Sequence, residues 1–195
     1  METSTLTERR KAATERDIAA AAAALFAEQS VAGVTADQIA ARAGVSVRTF
    51  YRYFARKEDA ITPLLTIGAQ QWQDAFVEVG EHSLREQVPR IIAARLVEKD
   101  DSSFEAILGV LQGLEDDVAL RDVWLRVNDD SERRLREILH ARGMTPWEAR
   151  QLAAIATDAI RVGLEQWASE PAGPRPAARA VDAFHAMSQG LRGLD

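Results

Sequence analysis

Apolar residues recur along this chain at the three- and four-residue spacing of amphipathic helices, and no stretch keeps the strict alternation of a strand. The pattern predicts two short helices between residues 35 and 56. Seven more are predicted at about residues 14–29, 57–79, 84–99, 104–114, 118–141, 146–169 and 176–191. We therefore expect an all-α protein of about nine helices, with the segment EPAGPRP at residues 170–176 as its clearest linker.

The two short helices carry the most specific local signals. Thr35 can cap the first, and Gln38, three residues later, can reach back to complete a capping box. Gly44 ends that helix, because glycine adopts the left-handed conformation at little cost. Ser46 then caps the next helix. Two short capped helices around a glycine turn predict a helix-turn-helix, a common DNA-binding motif.

The second short helix divides into two faces on a helical wheel. Phe50 and Phe54 fall on one side, flanked by Val47 and Tyr53, and are expected to anchor the helix to its neighbours. The opposite side is polar and free to enter a major groove; it consists of Arg48, Thr49, Tyr51 and Arg52.

These side chains suit contacts to DNA. Arg48 can form a bidentate contact to guanine, and Thr49 or Val47 can touch a thymine methyl group. Lys57, at the start of the following helix, can hold a phosphate. Arginines on a short surface helix can also be a merely solvated face. The capped helix, the turn, the phenylalanine pair and Lys57 together favour DNA binding.

Charge is distributed unevenly along the 195 residues. The net charge is −6, yet residues 1–57 carry nine basic and six acidic residues, and the remainder carries 15 basic and 24 acidic ones. A basic module on an acidic body confines the affinity for phosphate to one end. The chain has no cysteine, which excludes disulfides, thiolate metal sites and cysteine nucleophiles. No segment approaches a membrane span, so we expect a cytoplasmic protein without a membrane partner.

The region from about Ile18 to Asp59 resembles the tetracycline-repressor (TetR) family of bacterial regulators. Four motifs carry the resemblance: Leu25-Phe26, Gly33-Val34-Thr35, the run from Ile39 to Ser46, and Tyr51, Phe54, Lys57 and Glu58 at its close. It covers roughly a quarter of the chain. The resemblance implies a helix-turn-helix domain at residues 1–57 and a larger helical domain, for ligand binding and dimerisation, at residues 58–195.

The resemblance also implies roles for individual residues at the DNA. Phosphates are expected at Thr35, Tyr53 and Lys57, and bases or their edges at Val47, Arg48, Thr49 and Tyr51. Arg48 is a departure, because many relatives carry glycine there.

The last two helices carry apolar stripes with small residues that permit close helix packing. The resemblance implies that they pair with their symmetry mates in a homodimer, although each stripe could equally be core within one chain. The expected interface comprises Leu152, Ile155, Ala156, Ala159, Ile160, Gly163, Trp167, Val181, Phe184 and Leu191.

Bulky residues of the middle helices are candidates for an effector cavity, by analogy with the family, although aromatic residues at helical spacing are usually core. They are Trp72, Phe76, Phe104, Leu108, Leu111, Trp124, Val127 and Trp147. Pro63 should kink the helix at residues 57–79 and could act as a hinge between the cavity and the DNA module.

We therefore expect a dimeric repressor that a small apolar or aromatic effector releases from a palindromic operator. One alternative is a regulator that binds DNA constitutively, without a small ligand, or acts through a protein partner. A remote one is a helical-bundle metalloenzyme, because Glu137 with His140 and Asp182 with His185 have the spacing found in di-iron bundles. No further acidic ligands are evident, so we expect neither an enzyme nor a cofactor.

Overall fold

The computed structural model describes residues 5–76, 83–96 and 101–189, with the backbone alone at residues 101–105. This part of the chain contains nine α-helices and no strand, which confirms the all-α prediction. The helices are α1 (Leu6–Gln29), α2 (Ala36–Arg42), α3 (Val47–Tyr53), α4 (Thr62–Asp74), α5 (Leu84–Arg95), α6 (Asp101–Gln112), α7 (Val118–Ala141), α8 (Pro146–Ser169) and α9 (Pro176–Ser188). None of them is both long and apolar enough to cross a membrane.

Helix α1 begins well before the predicted start at residue 14. Thr5 caps it, accepting a hydrogen bond from the Glu8 amide at 3.2 Å, while the Glu8 carboxylate accepts one from the Thr5 amide at 2.7 Å. The added turns are polar and exposed, so they leave no apolar periodicity in the sequence.

The single helix predicted over residues 57–79 is wrong. A 3-10 turn occupies Glu58–Ile61, and α4 begins only at Thr62. Pro63 therefore lies in the first turn of α4, where its missing N–H removes no helical hydrogen bond. The predicted kink at Pro63 is thus wrong, and its role as a hinge stays a prediction. Val79 and Gly80, the predicted end of this helix, lie outside the described residues.

The chain forms two compact units that differ from the division predicted after residue 57. The first comprises Met1–Thr66 and Asp101–Trp124, and the second Ile67–Asp100 and Leu125–Asp195. Helix α6 joins the N-terminal helices because it packs closely on α1. A Cβ added at Gly109 of α6 would lie 2.6 Å from the Ala27 Cα. Helix α1 is therefore supported by a segment far along the chain.

The second unit has an apolar core built from α4, α5, α7, α8 and α9. Its most deeply buried members are Trp72, Phe76, Val88, Ile92, Leu135, Leu139, Leu152 and Phe184. Helices α8 and α9 approach closely at Gly163, where a Cβ would lie 2.6 Å from the Ala180 nitrogen. Only a residue without a side chain fits that crossing.

Most residues of the predicted dimer interface take part in this packing. Seven of the ten are buried within the single chain: Leu152, Ala156, Ala159, Ile160, Gly163, Trp167 and Phe184. Their small members let α9 of the same chain approach, so the intrachain alternative holds for them. Ile155 and Val181 are partly exposed, and Leu191 lies outside the described residues.

Candidate DNA interface

Helix α2 has the cap predicted from the sequence. The Thr35 hydroxyl accepts a hydrogen bond from the Gln38 amide at 3.3 Å, and the Gln38 side chain accepts one from the Thr35 amide at 2.7 Å. Gly44 adopts the left-handed conformation, with φ +67°, as expected of the turn. The Val45 amide donates to the Ala40 carbonyl at 2.9 Å. These bonds fix the angle at which the chain enters α3.

Helix α3 is anchored by its two phenylalanines. Phe50 is fully buried and Phe54 nearly so, with their ring centroids 5.8 Å apart. The Ser46 hydroxyl accepts a hydrogen bond from the Thr49 amide at 3.1 Å, which confirms the predicted cap. A helix of only seven residues is too short to be stable alone, so its orientation depends on this packing.

The opposite face of α3 is open. Arg48, Tyr51 and Arg52 are exposed, and Tyr51 exposes 55% of its surface although it is a large aromatic residue. Val47, Thr49 and Tyr53 are half-buried along the edges of the face. The Arg52 guanidinium lies 5.2 Å from the centre of the Tyr53 ring, a cation–π contact that orients both side chains.

Ion pairs show which cations of this region are already neutralised. Arg42 forms a bidentate pair with Glu28 of α1, at 2.6 and 2.7 Å, and Arg56 pairs with Asp59 at 3.2 Å. The hydrogen bonds from Arg42 hold the pKa of Glu28 below its usual value. Arg48 and Arg52 have no acidic partner among the described residues. The exposed face of α3 thus carries uncompensated positive charge.

Lys57 has a structural role that the sequence analysis missed. Its Nζ donates hydrogen bonds to the carbonyls of Val31, at 2.6 Å, and Val34, at 2.9 Å, and lies 3.7 Å from the buried carboxylate of Glu58. The ammonium therefore ties the 3-10 turn to the loop between α1 and α2. Backbone carbonyl partners leave no signal in a sequence.

This position also changes the argument for a phosphate at Lys57. No α-helix begins there, so the expected help from a helix terminus is absent. Two of the three ammonium hydrogens are taken by carbonyls, which leaves one for another partner. Contact between Lys57 and a phosphate stays a prediction, as do the other residue roles at DNA.

The predicted effector residues fall in both units. Leu108, Leu111 and Trp124 belong to the first; Trp72, Phe76 and Val127 belong to the second. Trp72 and Phe76 are buried edge to face, with centroids 5.5 Å apart. Trp147 exposes 67% of its surface at the start of α8, so this chain does not enclose it. The Phe104 side chain lies outside the described residues.

The two carboxylate and histidine pairs do not form a metal site in the described part of the chain, where no group of His, Asp and Glu side chains could hold an ion. Both histidines are exposed, and His140 Nδ1 lies 3.0 Å from the Met144 carbonyl.

Comparison with known proteins identifies the N-terminal region. Residues 18–60 match the family model of bacterial regulatory proteins of the tetR family. This region belongs to the TetR family. The resemblance carried by the sequence motifs is thereby confirmed, and the match covers α2, α3 and the second half of α1. A search of curated proteins finds no match to the chain.

Solved structures share the fold over nearly the whole chain. The multidrug binding protein EbrR, complexed with imidazole, has a TM-score of 0.59 and 21% identity, covering 89% of this chain and 93% of that one. NalD, the secondary repressor of the MexAB-OprM multidrug efflux pump in Pseudomonas aeruginosa, has a TM-score of 0.56 and 22% identity, covering 95% and 99%.

The regulator FadR from Bacillus subtilis, in complex with stearoyl-CoA, has a TM-score of 0.55 and 19% identity, covering 91% of this chain and 99% of that one. Identities this low establish the fold alone. The chain therefore has the fold of a TetR-family transcriptional regulator, with a DNA-binding helix-turn-helix at its N-terminal end.

Proposed function

We propose that this chain is a dimeric cytoplasmic repressor that a small apolar or aromatic effector releases from a palindromic operator. The observation that supports DNA binding best is the exposed face of α3. Two arginines without acidic partners stand there beside an exposed tyrosine, on a helix whose other side is locked by Phe50 and Phe54. A rigid basic helix face is what a major groove accommodates.

Base reading is assigned to Arg48, with Val47, Thr49 and Tyr51 beside it. An arginine fork pairs with two acceptors on guanine, and such a pair discriminates against a wrong base by about 1–3 kcal/mol. Phosphate contacts are assigned to Thr35, Ser46, Arg52, Tyr53 and Lys57. Such contacts would fix the register of α3 in the groove.

Dimerisation follows from the geometry of a palindrome, whose half-sites lie about 34–36 Å apart and require a rigid connection between two copies. Because the small-residue stripe is already buried, we assign the contact to the outward face of α8 and α9. Ile155, Val162 and Val181 are partly exposed there, and the first two are two helical turns apart on α8. Partly exposed aliphatic residues at this spacing suit helix pairing.

Effector binding is assigned to the second unit. Trp72, Phe76 and Val127 are the predicted ligand residues that this unit buries, and Trp72 and Phe76 belong to its core, which is otherwise mostly aliphatic. The similar folds include one complexed with imidazole and one complexed with stearoyl-CoA, which is consistent with a small or acyl ligand inside such a fold. A ligand that binds one conformation better shifts the population towards it.

Selection of bound fragments from the source genome tests this function. The expected result is one palindromic sequence with half-sites about one helical turn apart. Failure to enrich any sequence would contradict DNA-specific regulation. A thermal-shift screen then separates ligand-gated from constitutive binding. A compound that raises the melting temperature and also releases the selected fragment supports gating, whereas stabilisation without release favours a constitutive regulator.

A further inference from the structure

Gln73 is a buried polar residue in the apolar interior of the second unit, and the sequence analysis did not single it out. It lies on α4, directly after Trp72, and exposes 1% of its surface. Its side-chain Nε2 donates hydrogen bonds to the Ser131 carbonyl, at 2.8 Å, and to the Ser131 hydroxyl, at 2.6 Å. The NH₂ end of the Gln73 amide therefore links α4 to α7.

The orientation of this amide is fixed by its partner. A carbonyl oxygen only accepts, so the end that faces the Ser131 carbonyl must be the NH₂ group. Both hydrogens of Nε2 are then used, and Oε1 points elsewhere. No described residue donates a hydrogen bond to Gln73 Oε1. A buried acceptor without a donor costs free energy that an apolar side chain of similar size would avoid.

Buried apolar residues flank both partners of this hydrogen bond. On α7, Val127 and Leu135 lie one turn before and one turn after Ser131, and both are buried. Trp72, which precedes Gln73 on α4, and Phe76, two residues after the end of α4, are buried as well. One oriented polar group within apolar walls is the usual composition of a small-molecule site.

Charge limits what such a site can hold. The buried polar residues that the structure describes in the second unit are Gln73, Ser131, Thr157 and Ser188, none of which is charged. A charged ligand group would be buried there without an opposite charge, at a high cost in free energy. Asp74, next to Gln73 on α4, pairs with Arg134 of α7 at 3.3 Å, and both are well exposed. Asp130, next to Ser131 on α7, pairs with Arg133 at 3.0 Å, and both are likewise well exposed.

We infer that Gln73 Oε1 accepts a hydrogen bond from the effector, and that the effector is a neutral, largely apolar molecule with a donor such as an aromatic N–H or a hydroxyl. This rests on the proposed effector function of the second unit and specifies its ligand class. Ser131 is a positioning residue, because it holds the amide so that its oxygen faces the ligand.

Two probes of nearly equal size test the assignment with the full-length chain. Indole carries one N–H donor, and benzofuran has an oxygen in its place. Titration calorimetry is expected to show that the wild-type chain binds indole about fivefold more tightly than benzofuran, the usual effect of one neutral hydrogen bond. In Gln73→Leu the two probes should bind equally. Gln71→Leu, at an exposed glutamine on the same helix, should keep the wild-type preference.

Three results would overturn the inference: equal binding of the two probes to the wild-type chain, no binding of either, or a preference that survives in Gln73→Leu. If Gln73→Leu does not fold, Gln73→Met supplies an apolar chain of similar length for the same comparison. Release of the selected DNA fragment is measured separately. If the chain preferred indole but did not release DNA, ligand gating would be contradicted and Gln73 Oε1 would be supported as an acceptor. If indole and benzofuran released the DNA fragment equally well, gating would be supported and the acceptor role of Gln73 Oε1 would be contradicted.

Discussion

The helix-turn-helix of the first unit and the α8 and α9 pair of the second are held together in different ways. Helices α2 and α3 are seven residues each and depend on side-chain caps, two phenylalanines and the Lys57 ammonium. Helix α8 has 24 residues and packs on α9 through small residues that allow close approach. The first arrangement leaves a polar face open, and the second hides an apolar one.

The difference shows where function can reside. Side-chain caps fix a short helix at its end, and buried anchors fix it on its inner face. Its outer face is therefore free to contact a ligand such as DNA. Close helix packing instead buries the face that makes the contact. Most of the stripe predicted as a dimer interface is buried in this way, whereas the predicted DNA face is exposed.

The largest expected effect concerns the close crossing at Gly163. In Gly163→Ala the new Cβ would meet backbone atoms of Ala180 at 2.6 and 2.7 Å, so α8 and α9 must separate. We expect the free energy of unfolding to fall by about 3 kcal/mol, as in an overpacked core. Urea denaturation measures it. Gly68→Ala, where a Cβ meets nothing within 4 Å, should instead stabilise α4 by about 0.5–1 kcal/mol. Equal effects at both glycines would contradict the close crossing.

A smaller loss of stability is expected at Lys57. In Lys57→Met the carbonyls of Val31 and Val34 lose a charged donor, and Glu58 keeps a buried carboxylate without its cation. Denaturation should show a loss of about 2 kcal/mol.

Lys11→Met is the matched control. The Lys11 side chain is 66% exposed, and its distance to Glu15, 3.9 Å, is long for an ion pair. It should change stability by less than about 0.5 kcal/mol. A Lys57→Met chain as stable as the control would refute the structural role. If its DNA binding also lost about one unit of salt dependence, the remaining ammonium hydrogen would be assigned to a phosphate.

Each of the two regions contains a helix with a capping box, so the same substitution can be made in both. Thr35 caps α2 and Thr145 caps α8, each paired with the residue three positions later. Thr35→Ala and Thr145→Ala should each lower the free energy of unfolding by about 1 kcal/mol. Only Thr35→Ala should also weaken DNA binding in a titration of the selected fragment. If the two variants bound DNA with equal affinity, contact between the N-terminus of α2 and a DNA phosphate would be contradicted.

The smallest effect concerns acid stability. The pKa of Glu28 is lowered in the folded chain by its hydrogen bonds from Arg42. A lowered pKa contributes stability above the unfolded value, about 4.3, and this contribution is lost as the pH falls through the folded value. The wild-type chain should therefore lose slightly more stability than Glu28→Gln between neutral pH and pH values below about 4. If the melting temperatures of the wild-type and Glu28→Gln chains fell equally with decreasing pH, a stabilising contribution of the Glu28–Arg42 pair would be contradicted.

The sequence predicted those elements whose signals are local. The bounds of α7 and α8, the Thr35 box, the Ser46 cap, the Gly44 turn and the anchors Phe50 and Phe54 all depend on residues within a few positions of each other. The open face of α3 followed from the same periodicity. Local patterns therefore located the candidate DNA site almost completely.

What the sequence did not predict depends on distant partners. The carbonyl contacts of Lys57, the packing of Gly109 on Ala27, and the amide of Gln73 on Ser131 join residues far apart in the chain. An apolar stripe with small residues has the same periodicity whether its partner is α9 of the same chain or another copy. The sequence therefore could not show that a single chain buries seven of the ten residues expected at a dimer interface.

The central claim is that the open face of α3 binds DNA through Arg48 and Arg52. The most direct measurement is the affinity of Arg48→Ala/Arg52→Ala for the fragment selected by the wild-type chain. Because both side chains are exposed and lack acidic partners, the variant should fold normally. Arg90→Ala, at an arginine that is 73% exposed on α5, serves as the control. We expect the double variant to lose the selected site and the control to retain it; undiminished binding by the double variant would show that this face does not bind DNA.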